Sequence, residues 1–290
     1  MAEAGSGGSG DHPLPRDTLL VSGPDRKSWL DGLLTCAVAD VVPGRAAYGL
    51  LLTKQGKIVS DVFLADTGQE LFVGVAPGQG VPVRDLLDRY LVMEDAELMT
   101  PSDPVTWQLT YPADSEPSGE ALARGALSMG SLAAELAVLK SPATPAPAQP
   151  ELAALLAEHG LGVFGVDFGQ RDNPHEAALD RVAVCWTKGC YLGQEVVCMQ
   201  DMRGKVKRRL VALHAESALL GKPAAADAQG PEVVDAAGGV VGHVTSRHRA
   251  GGGGARLLAS ISSTALESPG ELSVWGRPVR VVQGSEPKLG

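Results

Sequence analysis

Apolar positions along this chain change their period several times, and each change marks an element. Thr18-Leu19-Leu20-Val21 is a short apolar run that predicts a strand. Ser22 to Asp25 predicts a helix start, with Ser22 as N-cap and Asp25 three residues on as in a capping box. Trp29, Leu30, Leu33 and Leu34 then fall on one helical face. Gly44 to Thr53 reads as turn then strand, Gln55-Gly56 as a hairpin break, and Lys57 to Ala65 as the returning strand. Glu70 to Val75 is a third. Val83, Leu86, Leu87, Tyr90 and Leu91 carry helical spacing over 83–92. Val105 to Thr110 is a strand, and 112–130 has no decisive period. Glu151 to His159 is a helix stopped by Gly160, with His159 a cap-side charge. Gly162 to Phe168 is strand-like, and Asn173-Pro174-His175-Glu176 is a helix start with Asn173 as N-cap. Val182, Val184 and Trp186 alternate as a strand, and Leu192, Val196 and Met199 restore helical spacing from Tyr191 to Met199. From about 210 onward, short runs at Leu210–Leu213, Glu232–Asp235, Val240–Thr245, Arg256–Ile261 and Val274–Val282 alternate with turn signals. They predict a small β-barrel.

Composition narrows the class. At 290 residues the chain can hold two or three cores, and with four Phe and four Tyr those cores rest on Leu, Val and Ala. Residues 1–13 are Gly/Ser-rich and read as a disordered tail, and 141–150 as an extended Pro/Ala linker. A net charge of −9 argues against a general nucleic-acid binder, while leaving room for one local basic groove. No apolar run approaches the roughly 20 residues of a membrane span, and Met1–Gly10 has no hydrophobic signal core, so the cytoplasm is the expected compartment. Cys36, Cys185, Cys190 and Cys198 form no Cys-x-x-Cys pair, and the six histidines are scattered. No protein-held metal is expected.

The chemistry concentrates at Lys188-Gly189-Cys190-Tyr191-Leu192-Gly193-Gln194-Glu195 and runs on to Arg203, Lys205, Lys207 and Arg209. A strand handing over to a helix puts Cys190 near a helix N-terminus. Unpaired N–H groups and the Lys188 charge there would favour its thiolate. The alternative is a structural cysteine in the core. Glu195 can accept hydrogen bonds from a ligand's N–H groups, or simply be a solvated helix carboxylate. The alternating cations 203, 205, 207 and 209 would share one side of an extended chain, as an anion site or as a solvated face.

Lys-Gly-Cys-Tyr-x-Gly-Gln-Glu followed by Arg-Gly-Lys-x-Lys-Arg-Arg-Leu resembles the signature of the YgfZ family, folate-binding proteins related to iron–sulfur cluster assembly and repair. These are relatives of the glycine cleavage T-protein, an aminomethyltransferase. Tyr48 on a strand, the Gly56-Lys57 turn and Asp61 on the returning strand also resemble the family, as does Val244-Thr245-Ser246. Asp61 could equally be an ordinary strand-end carboxylate. The resemblance implies a multi-domain, aminomethyltransferase-like α+β fold. Residues 14–49 with 151–206 would form a central folate-binding domain, 50–140 a ferredoxin-like unit and 207–290 a C-terminal β-barrel. It further implies tetrahydrofolate or a derivative as ligand, held by Lys188, Tyr191, Gln194, Glu195, Arg203, Lys205, Asp61 and Tyr48, in a cleft between domains. Cys190 would be the reactive group and iron–sulfur enzymes the clients. The family's Thr-Asn-Asp triplet is Thr35-Cys36-Ala37 here, and Met199 stands where an Arg is common. Ala37 cannot hold or relay a proton, which counts against aminomethyl or other C1 transfer, the alternative function.

Overall fold

The computed structural model describes residues 10–113, 119–140, 150–204, 206–216, 230–250, 254–267 and 270–282. The chain divides into two compact units. Among the described residues, one holds 10–152 together with 181–196, the other 153–180 together with 197 onward.

In the first unit the elements run β1 (Gly10–Leu14), β2 (Asp17–Ser22), α1 (Arg26–Asp31), a 3-10 turn at Val38–Asp40, β3 (Gly44–Arg45), β4 (Ala47–Leu52), β5 (Ile58–Asp66), β6 (Leu71–Val75), α2 (Gly80–Asp88), β7 (Glu97–Met99), β8 (Val105–Tyr111), β9 (Ala121–Met129) and β10 (Leu132–Lys140). They make two five-stranded sheets, ordered β1-β8-β10-β9-β3 and β4-β5-β6-β2-β7. The boundary expected between 49 and 50 falls inside β4, and β2 sits between β6 and β7, so strands from both sides of it share one sheet. Residues 10–13, expected in the disordered tail, instead belong to β1, which pairs antiparallel with β8 as an edge strand. The strand β9 lies in the stretch with no readable period, and β10 follows it. β9 alternates buried and exposed positions, but its inward residues include Ala123 and Gly125, too small to register as a hydrophobic stripe.

The sheets meet at Trp107 of β8. Its ring fills the space over Gly74, where a Cβ would lie 2.7 Å from the indole, and its N–H donates to the Thr18 hydroxyl at 2.9 Å. The opposite face of the second sheet buries Leu19, Val21, Leu51, Val62, Leu64, Val73 and Val75 against Trp29, Leu30, Leu34, Val83 and Leu87 of the helical segments. Fully burying each large aliphatic side chain stabilises by about 1.5–3 kcal/mol. α1 starts at Arg26 with Asp25, not Ser22, as N-cap. The Asp25 carboxylate accepts from the Asp95 N–H instead of closing a capping box. α2 begins three residues earlier than its apolar spacing implies, because the Asp17 carboxylate accepts the Gly80 N–H at 2.8 Å.

In the second unit α3 (Pro150–Glu158) enters from the first, and Gly160 takes the expected left-handed conformation, φ 73°. The later elements are α4 (Gln194–Arg203), β11 (Arg208–Ala215), β12 (Glu232–Val234), β13 (Val240–Arg249), β14 (Ala255–Ser262), α5 (Ser263–Glu267), β15 (Leu272–Val274) and β16 (Arg277–Val281). β11-β14-β13-β12-β15-β16 close into a barrel, so the mixed α+β class and the C-terminal barrel read from the sequence are both present. The single strand expected over 274–282 is two, broken by a turn at Trp275-Gly276. The strand expected at Gly162–Phe168 is a tight turn around Gly165, φ 82°. Asp167 accepts the Val163 N–H there, and the Thr245 hydroxyl donates to Asp167 at 2.6 Å from the bulge in β13.

Candidate functional site

The signature segment lies in the first unit and is fixed by the loop after α1. The Thr35 hydroxyl donates to the Ala183 carbonyl, and the Cys185 N–H to the Thr35 carbonyl. The Leu192 N–H donates to the Gly32 carbonyl. These single bonds to a loop replace a ladder, so Val182, Val184 and Trp186 form no strand, and Trp186 is exposed.

Lys188 does not face Cys190 as an activating charge. Its side chain is 4% exposed, and its ammonium pairs with Asp31 at 3.0 Å and donates to the carbonyls of Asp31, Leu34 and Cys36 at 2.6–2.9 Å. Four oxygens consume its three protons, and the side chain is a clamp on the end of α1. Tyr191 is buried beneath it, the ammonium 5.8 Å from the ring centre.

Cys190 is exposed in the loop before α4, a free thiol like the other three. The helix begins at Gln194, later than the spacing implies, because Gly193 holds φ 82° and breaks the run. A Cβ on Gly193 would stand 2.5 Å from the Thr53 carbonyl, and one on Gly56 would stand 3.1 Å from Val196. The β4–β5 turn thus rests directly on the start of α4. Glu195, in the first helical turn, is exposed and favourably placed in the dipole's field; Gln194 is half-buried. Cys190 and Glu195 therefore flank a rigid glycine corner with both side chains open to solvent.

Asp61 and Tyr48 are brought together, in the layer between the two sheets. Arg16 pairs with Asp61 at 2.6 Å, the Tyr48 hydroxyl donates to the other Asp61 oxygen at 3.4 Å, and the Arg16 guanidinium lies 4.5 Å above the Phe63 ring. Burial, followed by the Asp61 charge, pushes the Tyr48 phenol well above its usual range. Arg16 escaped the sequence reading because its partner is 45 residues away and no local motif marks it. Its buried Nε has no hydrogen-bond partner among the described residues.

The cations after the signature do not share one extended side. Arg203 is the exposed last residue of α4, Lys205 lies outside the described residues, and Lys207 is exposed ahead of β11. Arg209 is buried, pairing with Asp180 at 2.8 Å and donating to the His175 carbonyl at 3.1 Å. Cys36, in the altered triplet, is sealed under Gly49, and burial pushes its thiol up to about 12. Ala37 offers only a methyl group. The nearby Asp31 is taken by Lys188 and by the Val38 N–H. A cavity of about 290 Å³ lined by Asp17, Gly80, Val81 and Arg84 contains none of the candidate residues. Among the described residues no three His, Cys, Asp or Glu gather as metal ligands, and no described helix is long and apolar enough to cross a membrane.

Comparison with known proteins bears on this arrangement. The GCVT N-terminal domain family matches residues 17–106. A mitochondrial iron-sulfur cluster assembly factor, the IBA57 homolog of Chaetomium globosum, is 28% identical over 68% of this chain; the chain spans about half of that relative, 54% of its length. The crystal structure of the glycine cleavage system aminomethyltransferase T from Bartonella henselae superposes with a TM-score of 0.72 at 16% identity. It covers 96% of this chain and 87% of that one.

Proposed function

Because this chain is a YgfZ/IBA57-like relative of the glycine cleavage T-protein, we propose that it binds a tetrahydrofolate and supports iron–sulfur cluster assembly or maintenance through Cys190. The observation that carries the reading is the open pair on either side of Gly193, a thiol at 190 and a carboxylate at 195, both exposed on a segment held rigidly from beneath. The residues fit a folate. Glu195 can accept from the paired N–H groups of a pterin, and Gln194 can donate and accept. Lys188 and Tyr191 act beneath the segment rather than on the ligand. Asp61 and Tyr48 act through the Arg16 pair that already occupies the carboxylate. An exposed thiol can exchange with a disulfide or touch a cluster iron, which supports iron–sulfur proteins as clients.

Aminomethyl transfer is the second reading, and Ala37 disfavours it, since neither it nor the occupied Asp31 supplies an acid at that place. Titration calorimetry with tetrahydrofolate tests the binding. Glu195→Ala is expected to weaken affinity at least tenfold while Cys190→Ser leaves it within twofold. Equal affinities for wild type and Glu195→Ala would remove the carboxylate from the site. In cells lacking the protein, Cys190→Ser is expected to fail to restore iron–sulfur enzyme activity.

A further inference from the structure

A free sheet edge is a place where another chain can pair, and among the described residues most edges are closed or blunted. β1 carries Pro13, and β3 and β7 are two and three residues long. The outer side of β4 is met by the loop after α1, through the Leu34–Leu51 bridge and the Thr35 N–H donated to the Leu50 carbonyl. β11 to β16 close on themselves. β2 differs, because one partner stops short. β7 pairs with Leu20, Val21 and Ser22, while β6 runs on beside Leu19, Thr18 and Asp17. Continued, β7 would set Thr100 opposite Leu19 and Pro101 opposite Thr18, where proline has no N–H to give.

A cavity of about 290 Å³ opens there, lined by Asp17, Thr18, Leu19 and Thr100. The three β2 side chains are engaged elsewhere. The Asp17 carboxylate accepts the Gly80 N–H, the Thr18 hydroxyl accepts the Trp107 indole N–H, and Leu19 is in the core. Successive strand residues alternate faces, so a cavity that touches all three touches the main-chain edge. Along that edge either Thr18, or Asp17 and Leu19 together, aim N–H and C=O away from β6. The other wall is α2, with Val81 62% exposed and Arg84 three residues on. Arg84 pairs with Asp85 at 3.5 Å, but both are exposed, so the bond is weak and the guanidinium is free to turn to a new partner. Asp17 already caps α2, which leaves no place at the helix end for a small anion.

We propose that this edge of β2 takes an extended segment of a partner protein as an added strand, with an apolar side chain over Val81 and a carboxylate two residues away at Arg84. Main chain then recognises main chain by ladder bonds, and alternate side chains supply selectivity. The spacings agree. Alternate residues on one face of a strand stand about 6–7 Å apart, and residues three apart on a helix about 5–6 Å. A small-molecule site would call for convergent polar side chains, and those of β2 are turned to other partners. The inference is independent of the folate reading, since the cavity holds none of the folate candidates.

The test uses the full-length chain and the acetylated hexapeptide Ser-Thr-Val-Thr-Glu-Thr, together with its reversed sequence, each with a C-terminal fluorescent label. One of the two is expected to bind by anisotropy below about 1 mM and to slow hydrogen exchange at residues 17–20 at least fivefold. N-methylating its Val and Glu amides, or instead its Thr amides, should weaken binding at least tenfold in one case and under threefold in the other, because one set faces β2. Arg84→Glu should melt at an unchanged temperature, bind the Glu peptide at least fivefold more weakly, and bind the same peptide with Lys for Glu more tightly than wild type does. No binding by either sequence, or binding without protection at 17–20, overturns the proposal. So do two N-methylated peptides that bind alike, or an Arg84→Glu variant that treats the Glu and Lys peptides as wild type does.

Discussion

Gly189 and Gly193 look alike in the signature and answer to different demands. Around Gly189 a Cβ would meet no described residue within 4 Å, whereas at Gly193 it would press on the Thr53 carbonyl with φ at 82°. Gly193→Ala is therefore expected to destabilise the fold by about 2 kcal/mol or more, from backbone strain plus the contact. Gly189→Ala should leave denaturant midpoints unchanged. Any loss of function in Gly189→Ala would then report on what approaches Cys190, with folding unaffected. Lys188 carries a similar lesson. Its charge and its place two residues before Cys190 suggest electrostatic activation, yet burial beside three carbonyls and Asp31 makes it part of the scaffold. Sequence proximity gives no direction to a side chain outside a regular element, which is why Lys188 could not be read correctly from the string.

At the scale of elements, the stretch 173–180 shows a local signal obeyed and then overruled. The capping box forms in both directions, Glu176 N–H to the Asn173 carboxamide at 2.9 Å and Asn173 N–H to the Glu176 carboxylate at 3.0 Å. The helix then stops after one turn, with Ala178 at φ 59° and both Leu179 and Asp180 N–H groups bonded to the Pro174 carbonyl. What wins is the tertiary tie, since the turn delivers Asp180 and the His175 carbonyl to Arg209 of β11. Breaking this buried pair by Arg209→Ala is expected to cost about 3–5 kcal/mol in urea denaturation, because it removes the buried guanidinium that pairs with Asp180 and caps the His175 carbonyl. Loss of under 1 kcal/mol would return Arg209 to the role of a solvated cation. Strands with large alternating side chains, β2, β5 and β6, were legible. The β9 strand was not, because Ala and Gly turn inward there, nor was the break at Trp275, since a bulky residue is a poor turn signal.

For the molecule as a whole, buried titratable groups set opposite limits on pH stability. Cys36 keeps its proton to about 12 when folded against 9.0 when unfolded. Its contribution is complete below pH 9 and declines as pH rises to about 12, by about 4 kcal/mol in all at 1.36 kcal/mol per unit. Tyr48, raised by burial, steepens the loss above pH 10. His159, His214 and His248 are held low chiefly by burial, so stability is complete above about 6.5 and falls as the medium is acidified below it. Denaturation midpoints across pH 5–11 should give a plateau with two falling sides, and Cys36→Ala should flatten the alkaline side. The fold class and the barrel were readable from period and turns. The pairing of β2 between β6 and β7, and of Arg16 with Asp61, was not, because long-range partners leave no local pattern. One such link reaches beyond the finished molecule. Lys188 meets carbonyls 152–157 residues upstream, so a nascent chain must wait for them. At 5–20 residues per second, α1 stays unclamped on the ribosome for about 8–30 s, an interval in which Leu30 and Leu34 are candidates for chaperone capture.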